Sequence, residues 1–167
     1  FLVVYMIGSV GGDTSGTSST SSSSSGNSSA SSKSSSTCEY WSNQTENNAV
    51  KMADVMQKIA DDATDASVGV ISFSTFESYL QSDLRKAKNI YNNQISLSPN
   101  SANVTTHNYF LDALEDLIDG IDLSILGIQQ NDADYIELGI IYIDSAGDNA
   151  SLASSSLSSC WLFLLIL

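Results

Sequence analysis

The sequence predicts an all-α domain, an antiparallel up-down four-helix bundle preceded by a disordered Ser-rich linker. Three observations carry that expectation. Apolar residues recur every three to four positions through the segments between Glu39 and Leu157, the spacing that lays one apolar stripe along a helix. Short polar breaks separate those segments, which favours antiparallel neighbours. The stretch from Asp13 to Thr37 is almost wholly Ser, Thr and Gly, with too little apolar area to offset the entropy of ordering it.

The first helix is expected over residues 39–65. Trp41, Met52, Val55, Met56, Ile59 and Ala63 fall on one side at 3.6 residues per turn, with Lys51, Asp54, Lys58, Asp61 and Asp62 largely elsewhere. Ser67 to Ser74 contains Val68, Val70, Ile71 and Phe73 but has no partner strand in the sequence, so it reads as a packed loop. Ser74-Thr75-Phe76-Glu77 fits a capping box and opens the second helix, over 75–97. Its stripe is Phe76, Tyr79, Leu80, Leu84, Ala87, Ile90 and Tyr91, and Arg85, Lys86 and Lys88 lie on the far side. Pro99-Asn100 marks the next break.

The third helix is expected over 102–130, with Phe110, Leu111, Leu114, Leu117, Ile118, Ile121, Ile125 and Ile128 on one face and Asp112, Glu115, Asp116, Asp119 and Asp122 opposite. The fourth, over 132–157, can be capped by Asn131 or Asp132, and its early acids Asp134 and Glu137 suit the positive end of the helix dipole. Its stripe is Tyr135, Gly139, Tyr142, Ile143, Ala146, Ala150, Ala153 and Leu157. Each of Gly120, Gly127, Gly139 and Gly147 costs roughly 1 kcal/mol relative to Ala inside a helix, so some of them are expected to mark helix ends or close helix contacts. Gly147 is where the last helix is expected to fray or stop.

The flanks carry topology signals. Residues 1–12 join an apolar run, Phe1 to Ile7, to the small-x-small triplet Ser9-Val10-Gly11, the pattern of a truncated export signal or a membrane-anchor remnant. Residues 13–37 form the linker, with a root-mean-square reach of roughly 25–30 Å for about 25 residues. The bundle domain is placed at 38–158, and residues 159–167 form an apolar tail, too short to span a bilayer, which needs about 20 residues. Three readings of that tail stand: a helix end packed on the domain, a shortened anchor, or a removable lipid-anchor signal.

Charge narrows the function classes. The formal net charge is −13, and the sequence pI is near 4.1. Residues 1–37 contain only Asp13 and Lys33, and nothing after Asp148 is charged. Six basic residues cannot replace the counterions of a nucleic acid, so none is expected as a partner. Membrane association could arise only through the apolar ends.

Candidate sites are few. Cys38 and Cys160 lie just outside the bundle ends that an up-down topology brings together, making them a candidate disulfide worth about 4–5 kcal/mol in the chain-entropy model, with two unrelated thiols as the alternative. Asp83 falls within the apolar stripe of the second helix with Gln94 lower on the same stripe. The two are candidates for a ligand pocket, although a boundary position is the expectation for Asp83. Sequons occur at Asn27, Asn43, Asn103 and Asn149, of which Asn43 and Asn103 are the candidate N-glycosylation positions. About three of the dozen Asn residues would form the motif by chance in so Ser-rich a chain.

Catalytic and metal chemistry finds little support. His107 is the one imidazole, a Glu-x-x-His di-iron motif would need a carboxylate where Val104 stands, and His107 is expected at the surface or as a cap. No Gly-x-Ser-x-Gly elbow occurs, and Asp132-x-Asp134 continues with Ile136 and Glu137 where a calcium loop needs an oxygen ligand and a glycine. No catalytic residue, metal ligand or cofactor is expected. The leading expectation is an exported or cell-surface acidic bundle with a non-catalytic structural or interaction role, meeting an unidentified protein or cell-envelope partner. The alternative is an extracytoplasmic small-ligand-binding or sensor bundle.

Overall fold

The computed structural model describes residues 31–156. Four helices account for nearly all of them: α1 (Ser31–Ser67), α2 (Phe73–Ile95), α3 (Val104–Gln130) and α4 (Ala133–Ser156), with no strand among the described residues. The apolar run 1–12, most of the expected linker, the tail 159–167 and Cys160 lie outside them. α1 begins at Ser31 rather than near Glu39, so the helix enters the stretch expected to be linker. Extending a formed helix fixes one residue per added hydrogen bond, and Ser is only a modestly poor helix former, so propagation back from a docked Trp41 is inexpensive.

The first and last of the three turns are set by left-handed residues. Gly69 takes φ +79°, with Val70 N–H donating to Asp65 C=O at 2.8 Å and Gly69 N–H to Ala66 C=O at 3.2 Å, the paired bonds of a Schellman stop. Asn131, at φ 53°, repeats the motif at the end of α3, where Asp132 N–H reaches Gly127 C=O at 2.8 Å. Asp132 Oδ1 then accepts from Asp134 N–H at 3.0 Å, starting α4 almost at once.

α2 does not use the expected capping box. Its cap is Ser72, whose hydroxyl accepts from Thr75 N–H at 3.1 Å, while Glu77 instead accepts from Gln81 and Gln129. The preceding loop is less packed than expected: Val68 and Val70 are exposed, and only Ile71 joins the core. α4 continues through Gly147 to Ser156 instead of fraying there.

The core follows the stripes. Met52, Val55 and Ile59 of α1 meet Leu80, Ala87 and Ile90 of α2, Phe110, Leu114, Leu117 and Ile121 of α3, and Ile143 and Ala146 of α4. α3 and α4 approach most closely, backbone to backbone. A Cβ on Gly120 would sit 2.7 Å from Gly139 C=O, and one on Gly139 would sit 2.6 Å from Gly120 C=O, distances no real side chain tolerates.

Candidate functional site

Where α1, α2 and α3 meet near the start of α3, the interior changes from aliphatic to polar. Trp41, Thr45 and Asn48 are spaced four and three residues apart and share one face of α1. All three are buried, as are Gln94 in the last turn of α2 and His107 in the first turn of α3. Gln94 is the hub. Its Nε2 donates to Thr45 Oγ1 at 3.1 Å and lies 3.1 Å from His107 Nδ1, while its Oε1 accepts from Asn48 Nδ2 at 3.0 Å.

Trp41 decides the state of the imidazole. Its indole N–H can only donate, and it points at His107 Nδ1 from 3.4 Å, so Nδ1 must be the acceptor and the ring proton belongs on Nε2. Burial pushes the His107 pKa below its ordinary value, because no water shell stabilises the cation. The histidine expected at the surface, or as a cap, is therefore a neutral interior group, 6% exposed. Its helical phase explains the difference: three residues before Phe110 and seven before Leu114, it continues the core stripe of α3 backwards.

Asp83 and Gln94 do not share a site. They lie eleven residues apart on α2, roughly 16 Å along its axis. Asp83 is fully buried rather than at a boundary, and its Oδ1 accepts from Lys86 Nζ at 2.7 Å. Lys58 Nζ stands 4.0 Å from Oδ2, pairs with Asp62, and lies 4.4 Å from the centre of the Tyr79 ring. Both lysines are half exposed, so their stems cover the carboxylate while their heads reach water.

An open groove of about 450 Å³ runs between α1 and α2, lined by Lys51, Asp54, Val55, Lys58, Lys86, Asn89, Ile90 and Asn93. Neither Asp83 nor Gln94 lines it. Its lysines are balanced by Asp54, Asp62 and Asp83, leaving no net positive field to hold an anion.

The remaining candidates separate. The Cys38 thiol is half buried and receives Asn103 Nδ2 at 3.4 Å, and its proposed partner Cys160 lies outside the described residues. Asn43 is exposed, whereas Asn103 is buried with the amide nitrogen that a sugar would occupy turned towards Cys38. The acidic row of α3 partly fastens helices together. Tyr91 donates to Glu115 at 2.7 Å, Ser145 and Asn149 to Asp116 at 2.7 and 2.9 Å, and Lys88 pairs with Asp122 at 3.3 Å. Among the described residues no three His, Cys, Asp or Glu side chains are grouped to hold a metal ion, and no helix is long and apolar enough to cross a membrane.

Sequence reasoning missed the polar cluster. Its signal was present: positions 38, 41, 45 and 48 continue the phase of Met52, Val55 and Ile59, so polar residues there had to face inwards. Comparison with known proteins returns no matching family model, no matching curated sequence and no matching solved structure.

Proposed function

We propose that this chain is an exported or cell-surface acidic helical module, an antiparallel up-down bundle with a non-catalytic structural or interaction role. The carrying observation is that Gln94, Thr45, Asn48, Trp41 and His107, buried where three helices meet, bond to one another. A set whose members satisfy each other stiffens a scaffold and offers little to a substrate. Contact order along the helices supports alternating directions, since Gln94 and Lys88 of α2 meet His107 and Asp122 of α3, and Gly120 and Asp116 of α3 meet Gly139 and Ser145 of α4. The Ser-rich stretch before the bundle suits a spacer, and the net charge of −13 suits a solvated module.

The second reading, a small-ligand-binding or sensor bundle, has the α1–α2 groove in its favour. Fractionation of cells expressing the full native gene, combined with protease added outside intact cells, tests the first. Surface-accessible protein is the expected result, and protein confined to the cytoplasm would overturn the proposal. Intact mass under reducing and non-reducing conditions reads the Cys38–Cys160 pairing in the same sample.

A further inference from the structure

α1 is held to the bundle in two chemically different ways. From Met52 onward it is anchored by aliphatic side chains, with Met52, Val55 and Ile59 in the main core. Before that, its inward positions are Cys38, Trp41, Thr45 and Asn48, and each meets a polar partner: Asn103, His107 and, twice, Gln94. Trp41 is buried but stands outside the aliphatic cluster. The attachment of residues 41–48 of this helix therefore relies on hydrogen bonds that converge on one amide and one imidazole.

We propose that this cluster is an acid-sensitive latch: protonation of His107 releases residues 38–48 of α1 from α2 and α3 while the remaining bundle stays folded. A proton added at Nδ1 turns the acceptor shared by Trp41 and Gln94 into a donor. Gln94 can rotate its amide to present oxygen, at the loss of its bond from Asn48. The indole has no such alternative, so Trp41 N–H faces another N–H and must leave.

No counter-charge softens the effect. On α1 the titratable neighbours are the Cys38 thiol and the exposed Glu39, Tyr40 and Glu46. α2 brings Tyr91, whose hydroxyl is committed to Glu115, and α3 brings Tyr109 and the exposed Asp112. The last charge on α4 is Asp148, which is exposed. Neither group bonded to His107 Nδ1 is a carboxylate. The downward displacement of the His107 pKa by burial agrees with this arrangement.

The test uses the full chain without an affinity tag, so that His107 is the sole imidazole. Its ring signals are followed by nuclear magnetic resonance from pH 8 to 4, and amide exchange, expressed relative to the intrinsic rate at each pH, is measured across the same range. The expected result is a His107 midpoint below 6.5, with exchange at residues 38–48 rising at least tenfold at that midpoint while α3 and α4 stay protected. His107→Gln should make that exchange independent of pH, and if it fails to fold the wild-type titration decides alone. Flat exchange across the His107 transition would overturn the latch, as would simultaneous loss of protection in all four helices.

Discussion

At the scale of the residue, Asp83 shows why a buried charge is judged by its partners. Its carboxylate is sealed beneath two lysine stems whose ammonium groups remain wet. Removing the acid leaves lysines that can rehydrate, whereas removing Lys86 leaves a buried carboxylate without its 2.7 Å partner. Lys86→Ala should therefore cost about 3 kcal/mol and Asp83→Asn about 1 kcal/mol, measured by urea unfolding. Equal costs would mean that the pair contributes only packing.

His107 gives a second residue-scale prediction, with a definite sign. The unfolded imidazole takes its proton near pH 6.5, and the folded one takes it at lower pH. Between those two values the unfolded chain holds more protons, so stability is intact above pH 6.5 and falls as pH drops below it. The slope is at most about 1.4 kcal/mol per pH unit for one proton. Urea midpoints across pH 8 to 5 should show this for the wild type, with a shallower fall for His107→Gln. Identical curves would show that carboxylates alone govern acid sensitivity.

At the scale of the element, the glycines of α3 and α4 divide by what surrounds them. Gly139→Ala places a methyl against Gly120 C=O, so it should cost about 2–3 kcal/mol despite the better helix propensity of Ala. At Gly147 the nearest outside atom is the Met56 methyl at 3.5 Å, an ordinary contact, so Ala there should stabilise by up to about 1 kcal/mol. Thermal melts of the two variants should move in opposite directions. The start of α2 offers a matched pair: Ser72→Ala should cost about 1 kcal/mol as loss of the cap, and Ser74→Ala a few tenths. The sequence pattern pointed to Ser74 because Glu77 follows at the right distance, but Glu77 is drawn to Gln129 of α3, a partner no local motif contains.

At the scale of the whole molecule, charge is divided between helix pairs. Every Lys and Arg lies at or before Lys88, so α3 and α4 carry acids with no base among them. The link from Lys88 to Asp122 joins the two halves. Self-repulsion within the acidic pair should make the protein more stable in salt: the melting temperature should rise by a few degrees between about 10 and 150 mM NaCl, as screening shortens from about 30 to 8 Å. A fall would show that the ion pairs, not the repulsion, dominate.

Helix identity was legible in the sequence because it is a local property. The apolar spacing from Phe110 to Ile128 and from Phe76 to Ile90 states helix and inward face together, and those faces form the core. Turn chemistry was half legible: Pro99-Asn100 and Asn131 stood out, and Gly69 did not. The candidate site was least legible, because burial of a polar residue is decided by what arrives opposite it. Asp83 is buried with Lys58 of α1 standing beside it, His107 is enclosed where Trp41 and Gln94 converge on one nitrogen, and Gly139 is needed because Gly120 lies behind it. Periodicity along one chain determined which way each helix faces. Only the tertiary structure decided which polar groups meet inside, since hydrogen bonds between helices depend on register and distance across segments dozens of residues apart.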